Sequence, residues 1–195
     1  MTQHQFDRAY YQRFYRNPRT RVASQRDVDR LGDFVCSYLK YLRLPVRSVL
    51  DVGCGLGFWK SVVARRFPRA RYVGVEYSAY LCETKGWIRG SVVDFQSETP
   101  FDLVICQGVL QYLSPRDAER AIANLARLSR AAVYLEVLTR DDWKSVCDQA
   151  ATDGRVDLRS AAWYRKRLAR RFTAAGGGVF LKKDAPTRLY ALEAL

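Results

Sequence analysis

The stretch that most constrains this chain is residues 48–57, Ser-Val-Leu-Asp-Val-Gly-Cys-Gly-Leu-Gly, followed at once by Phe58, Trp59, Lys60, Ser61, Val62, Val63 and Ala64. Val46, Val49, Leu50 and Val52 make a short apolar run with little alternation, as in a parallel strand covered on both faces. Gly53, Gly55 and Gly57 then remove side chains where the chain must turn sharply and a ligand must approach the backbone. The pattern predicts strand, glycine turn and helix, with the helix aiming its free N–H groups at that space. The dinucleotide fingerprint G-x-G-x-x-G would need its third glycine at position 58, which is Phe58. Asp51, at the strand end, would repel a pyrophosphate and suits a ligand carrying an ammonium group.

A second apolar run, residues 71–76, ends in Glu76 nineteen residues after Gly57. A carboxylate at a strand end can accept both hydrogen bonds of a ribose diol. These two elements in order carry a resemblance: Val-Leu-Asp-Val-Gly-Cys-Gly-Leu-Gly resembles the first motif of class I S-adenosylmethionine-dependent methyltransferases. The resemblance implies that Asp51 and the backbone of Gly53, Cys54, Gly55 and Gly57 hold the methionine end of S-adenosylmethionine. It assigns Glu76 to the ribose hydroxyls and Tyr77 to packing on adenine. The fold it implies is α/β, a Rossmann-like three-layer sandwich around a mostly parallel seven-stranded sheet that ends in an antiparallel hairpin. One domain is expected over residues 1–195, with a helical N-terminal lid over 1–45 and a Rossmann-like core over 46–195.

Residues 6–16 are dense in aromatics, and Tyr11, Phe14 and Tyr15 fall on one side of a helix that Asn17 and Pro18 stop. Either these rings cover the cofactor and exclude water, as N-terminal lids do in the family, or they only pack onto the body. Arg21 is a candidate partner for the cofactor carboxylate. Residues 28–44 read as an amphipathic helix ended by Pro45, and Trp59, Val62, Val63 and Phe67 give the next helix its buried face before Pro68. Residues 78–85 make a short helix capped by Gly86, and residues 87–94 a third strand with its loop. Family members usually show Gly-Asp there to meet the adenine amino group. This chain has Gly90-Ser91, so Ser91, Asp94 curling back, or the Val92 backbone would read the ring.

Residues 101–106, Phe-Asp-Leu-Val-Ile-Cys, are the fourth strand and resemble the family's fourth motif, whose following short helix faces the transferred methyl. Gln107 opens that segment and is a candidate cofactor contact, and Gln111 and Tyr112 stand where family members often carry histidine. Ser114 and Pro115 start a helix to Leu128, and residues 132–138 form the fifth strand. Glu136 in that apolar run needs a buried arginine or faces the acceptor pocket. Asp141 and Asp142 follow at the sheet's carboxyl edge; they hold a cationic acceptor or belong to a solvated loop capping a helix over 143–150. Ser160 caps a last helix through Phe172, with Ala161, Tyr164 and Leu168 on its apolar stripe and Lys166, Arg167, Arg170 and Arg171 around Trp163. Residues 179–181 and 188–192 are expected to pair as the hairpin.

Charge and cysteine content bound the function classes. The formal charge of +13 is concentrated at the ends: ten basic against four acidic residues in 1–50, ten against three in 155–195, and thirteen of each in 51–154. Such an asymmetry fits an anionic partner such as nucleic acid, or an arginine-rich composition, since arginine outnumbers lysine 26 to 7. Five scattered cysteines without C-x-x-C argue against disulfides and zinc, so no metal is expected. No apolar run is long enough to span a membrane and no leader is visible, so the expected location is cytoplasmic.

The single histidine, His4, leaves no Ser/His/Asp or Cys/His machinery. The resemblance implies a methyltransferase in which the cofactor brings its own electrophile and leaves S-adenosylhomocysteine. Orientation can supply roughly 7–11 kcal/mol of barrier reduction, against about 3–5 kcal/mol from a general base, so a base is dispensable. Candidate bases are Tyr112, Glu136, Asp141 and Tyr11. The expected acceptor is a small molecule, since no appended recognition domain is seen. The alternatives are an RNA or DNA methyltransferase, tRNA included, that uses the basic termini, and a non-catalytic methyltransferase-like binding module. Monomer and homodimer are both compatible with the sequence.

Overall fold

The computed structural model describes residues 6–187 and 189–191. Its sheet has seven strands, β1 (Ser48–Val52), β2 (Arg71–Glu76), β3 (Ile88–Arg89), β4 (Phe101–Gln107), β5 (Ser129–Glu136), β6 (Phe172–Gly176) and β7 (Val179–Lys182), in the order β3-β2-β1-β4-β5-β7-β6. β1 to β5 pair in parallel, and β7 runs antiparallel to both β5 and β6. The helices are α1 (Arg8–Tyr11), continued by a π-helical turn over Gln12–Arg16, then α2 (Gln25–Tyr41), α3 (Phe58–Arg66), α4 (Ala79–Lys85), α5 (Pro115–Leu128), α6 (Arg140–Ser145) and α7 (Ala161–Leu168). This is the Rossmann-like methyltransferase fold expected above.

Successive residues of the central strands point to opposite layers. Val49, Leu103, Ile105, Ala132 and Tyr134 pack with Val35, Leu39, Trp59 and Val62 of α2 and α3. Leu50, Val104, Cys106, Val133 and Leu135 pack with Ile122 and Leu125 of α5 and Leu168 of α7 on the other face. Both faces are covered, which is why the central strands carry apolar residues on both sides. Buried Asp102 fixes the start of the sheet by accepting from the Arg47 and Ser48 amides, both at 2.9 Å. Helix starts are capped by side chains: Ser24 with Asp27 and Thr139 with Asp142 form capping boxes, and Ser114 precedes Pro115 at the first turn of α5.

The chain departs from the sequence reading at the edges. The third strand shrinks to two exposed residues, Ile88 and Arg89. α6 starts at Arg140, because Thr139 and Asp142 cap it there. The last helix stops at Leu168, and Phe172 opens β6 instead of closing the helix. The hairpin therefore joins β6 to β7 across Gly177 and Gly178, which with Gly176 all have positive φ and turn the chain more tightly than Asp184, Ala185 and Pro186 would. Of the strand expected over 188–192, residues 189–191 are not in a strand, and Arg188 and Leu192 lie outside the described residues, as does His4. Among the described residues no helix is long and apolar enough to cross a membrane, no group of three metal-ligating side chains occurs, and all five cysteines are free.

Candidate functional site

The carboxyl ends of β1, β2, β4 and β5 open into one cleft, roofed by the aromatic N-terminal segment. Its floor is the glycine loop after β1. The Gly53 and Cys54 amides donate to Val75 O at 2.7 and 3.2 Å, which ties the loop to β2. Gly55 has φ +52 and its α-carbon faces open space, so its backbone is bare to the cleft. Gly57 does not line the cleft. Its φ is +83, it caps α3, and a methyl group there would lie 2.6 Å from the Trp87 ring, so its lack of a side chain serves packing. Trp87 in turn donates from Nε1 to Gly55 O at 2.9 Å, a wedge beneath the loop that the sequence reading had placed in a strand.

Asp51 lines the cleft at the end of β1 but is almost wholly buried. The Tyr72 hydroxyl donates to its Oδ2 at 2.6 Å. Burial pushes the Asp51 carboxyl up to about 7, against the lowering effect of the Tyr72 hydrogen bond, and nearby Glu76 adds to the rise. Glu76, also buried, is saturated from one side by backbone: Oε2 accepts from Gly55 N at 2.8 Å, and Oε1 from Tyr77 N and Ser78 N at 2.9 Å each. These bonds hold the carboxylate in one orientation at the strand end and leave lone pairs for a ligand. Tyr77 lines the same wall with an exposed ring.

The far wall is the turn over residues 90–94. Ser91, Val92 and Asp94 all line the cleft. Ser91 Oγ accepts from Val93 N at 3.2 Å, and Asn124 of α5 donates from Nδ2 to Val92 O at 2.9 Å, so helix and hydroxyl together fix the turn.

At the ends of β4 and β5, Gln107 Oε1 accepts from Trp59 Nε1 at 2.7 Å and its Nε2 donates to Glu136 Oε2 at 3.1 Å. Glu136 does not meet a buried arginine. It lies at the exposed end of β5, lines the cleft, and also accepts from the Tyr134 hydroxyl at 3.0 Å. A 3₁₀ turn over Leu110–Tyr112 follows β4 and is braced by Arg159, a 6 % exposed arginine that donates to Leu110 O, Leu113 O and the Tyr164 hydroxyl. Arginines in the basic tail read from sequence as surface charge, so this brace carried no signal. Asp141 is exposed and absent from the cleft wall; Asp142 lines it.

The lid rests on these parts. Tyr10, Tyr11 and Phe14 are buried with Leu81 of α4. The Tyr10 and Tyr112 hydroxyls hydrogen-bond at 2.8 Å, and the Phe6 ring meets the rings of Tyr10 and Tyr112 edge-on at 5.0 and 5.1 Å. Tyr11, Tyr15 and Arg21 face the cleft, so the rings both pack on the body and cover the cavity. Burial pushes the hydroxyls of Tyr11 and Tyr112 well above the ordinary tyrosine range, which keeps both neutral and ill suited to act as bases.

Comparison with known proteins agrees with this architecture. A family model described as a methyltransferase domain matches residues 49–132, and one described as protein-L-isoaspartate(D-aspartate) O-methyltransferase matches residues 3–89. A malonyl-[acyl-carrier protein] O-methyltransferase of Legionella pneumophila is 32 % identical over 95 residues, which are 43 % of this chain and 34 % of that protein. A trans-aconitate 2-methyltransferase of Pseudomonas paraeruginosa is 27 % identical over 179 residues, 80 % of this chain and 58 % of that protein. The chain thus spans only part of the length of these curated relatives. Among solved structures, magnesium protoporphyrin IX methyltransferase from Synechocystis with bound SAH superposes with a TM-score of 0.58 at 17 % identity, covering 82 % of this chain and 86 % of that one. CalS10, an amino pentose methyltransferase from Micromonospora echinaspora with bound SAM, gives 0.59 at 17 % identity over 84 % and 92 %. The two family models, both of which span the glycine loop, together with the sheet order and its antiparallel end, support a class I, Rossmann-like S-adenosylmethionine-dependent methyltransferase.

Proposed function

We propose that the protein is a methyltransferase that binds S-adenosylmethionine in this cleft and methylates a small-molecule acceptor. The observation that carries the reading is the pairing of two buried strand-end carboxylates on one wall. Asp51 lies beside the bare glycine loop, and Glu76 is fixed by three backbone amides. The donor set fits the cofactor: the loop backbone and Asp51 would meet the amino-acid end, Glu76 the ribose diol, and Tyr77 with residues 91–94 the base. Arg21, on the lid near the glycine loop, would meet the carboxylate. When bound, S-adenosylmethionine supplies an electrophilic methyl group on a sulfonium.

The chain's own residues orient and enclose. Gln107 and Glu136 form a polar rim at the ends of β4 and β5, and the tyrosine lid excludes water. Glu136 is the candidate best placed to accept a proton, being in the cleft and outside the buried core. The names of the curated relatives support a small acceptor. The basic face of α7 supports a nucleic-acid partner less well, since Arg167 is turned onto the Trp163 ring and bonded to Glu119.

Calorimetric titration with S-adenosylmethionine and S-adenosylhomocysteine, with Asp51→Ala as control, tests the reading. Binding by the native protein that the variant loses supports it. Absence of binding by the native protein overturns it.

A further inference from the structure

The acceptor side of the cleft is acidic in a chain whose net charge is +13. Glu136, Asp142 and Asp148 line it, and none has an ion-pair partner among the described residues. Asp142 caps α6 and Asp148 accepts from the Ala150 amide, whereas Glu136 accepts only from the neutral Gln107 amide and Tyr134 hydroxyl. The arginines of the lining are placed elsewhere. Arg120 pairs with Asp117, and Arg155 with Asp153. Arg21 acts electrostatically on Asp27, in the first turn of α2.

A second observation is independent of these charges. Gln111 lines the cleft at 8 % exposure, and its buried Oε1 has no hydrogen-bond partner. An unmade buried acceptor is destabilising, a penalty that a ligand N–H or O–H removes. Gly108 neighbours both residues: its N–H donates to the Glu136 backbone carbonyl at 3.0 Å, and a methyl on Gly108 would sit 3.7 Å from Gln111 Nε2. Above them lie the rings of Tyr10, Tyr15 and Tyr112. The Tyr15 hydroxyl is pushed up to about 12 by burial and by the carboxylates of Glu76, Glu136 and Asp153, all of which face it. Carboxylates, an open amide oxygen and tyrosine rings together attract an ammonium and repel a carboxylate.

Resting on the methyltransferase reading above, we propose that the acceptor is a small amine, protonated in solution, whose ammonium is held by Glu136 and the Gln111 amide oxygen beneath the tyrosine lid. Glu136 would take one proton from it, freeing the nitrogen lone pair to bond the methyl group that the sulfonium supplies, with S-adenosylhomocysteine as the leaving group. The cleft then differs in substrate class from the curated relatives named for acids.

The test separates the two readings. The protein is first titrated with S-adenosylhomocysteine, and failure to bind it sinks the methyltransferase reading and this inference with it. The saturated protein is then titrated with two matched series: tyramine, its alcohol counterpart tyrosol and its acid counterpart 4-hydroxyphenylacetate; and butylamine, butanol and butyrate. The amine is expected to bind at least roughly tenfold more tightly than the alcohol and acid in one series or both, the equivalent of one charge-assisted hydrogen bond. Glu136→Gln, at an exposed position, is expected to abolish that preference, and Gln111→Leu to weaken amine binding several-fold. Acid binding as tight as amine binding, no binding of either amine, or a preference that survives Glu136→Gln overturns the proposal.

Discussion

The Tyr72 hydroxyl lies 2.6 Å from Asp51 Oδ2, so β2 supplies the one side-chain donor seen on a carboxylate that β1 buries beside the cleft. With its carboxyl raised from 3.8 to about 7, Asp51 holds a proton in the folded protein over a window where the unfolded chain has lost it. Its contribution to stability is therefore full below about pH 4 and is lost as pH rises toward 7. A ligand ammonium needs the ionised form. The affinity for S-adenosylhomocysteine is expected to rise with pH through about 7 and then level off. Tyr72→Phe removes a bond that favours the ionised form, so it should shift this midpoint upward and weaken binding at pH 7. Dissociation constants measured from pH 5.5 to 8.5 check both; a flat profile for the native protein excludes the mechanism.

Glu76→Gln replaces one carboxylate oxygen with an NH₂ that must face a backbone N–H, at Gly55 or at Tyr77 and Ser78. Loss of one charge-assisted bond costs about 1.5–3 kcal/mol, so affinity for S-adenosylhomocysteine should fall by roughly tenfold to a hundredfold. Calorimetry gives the number, and an unchanged affinity would remove Glu76 from the ligand wall.

The glycines of the loop should separate by function. Gly57→Ala drives a methyl into the Trp87 ring as well as straining a positive φ, and is expected to destabilise the fold by about 2–4 kcal/mol. Gly55→Ala meets open space and pays only the backbone term, about 1–2 kcal/mol, while placing a methyl in the cleft. Urea unfolding should rank Gly57→Ala as the less stable variant, and ligand titration should rank Gly55→Ala as the weaker binder relative to its stability.

Arg159→Leu should act at a distance. It leaves Leu110 O and Leu113 O without their donor and releases the turn that carries Gln111 and Tyr112. A loss of about 3 kcal/mol in chemical denaturation is expected, together with weaker acceptor binding but near-native affinity for S-adenosylhomocysteine, none of whose proposed contacts is on the turn that Arg159 braces.

What could be read from the sequence was chemistry tied to one place in the backbone. Asp51 and Glu76 are legible because a carboxylate ending an apolar strand has few other uses, and the glycines between Asp51 and α3 mark where the chain must turn. The fold followed, since apolar runs without alternation imply a sheet covered on both faces. Contacts between distant segments left no such mark. Tyr72 and Trp87 read as ordinary strand residues, yet one holds Asp51 and the other wedges the loop. Glu136 read either as a charge paired with a buried arginine or as facing the acceptor pocket, because its neighbours are apolar; it ends the strand, escapes burial and lines the cleft. Phe172 kept the helical period of the residues before it and still belongs to β6, because three glycines at 176–178 set the hairpin earlier than proline at 186 would.

The lid's anchors lie far along the chain. Ser78 holds the Phe6 carbonyl, and the Tyr10 hydroxyl meets Tyr112, 102 residues later. During synthesis the aromatic segment leaves the ribosome before Ser78 and Leu81, and its docking surface is complete only when Tyr112, 102 residues after Tyr10, has followed. At translation rates of about 5–20 residues per second, that leaves a cluster of tyrosines and phenylalanines waiting for several seconds. The segment that closes the finished cleft is thus an exposed aromatic cluster for that part of the protein's synthesis.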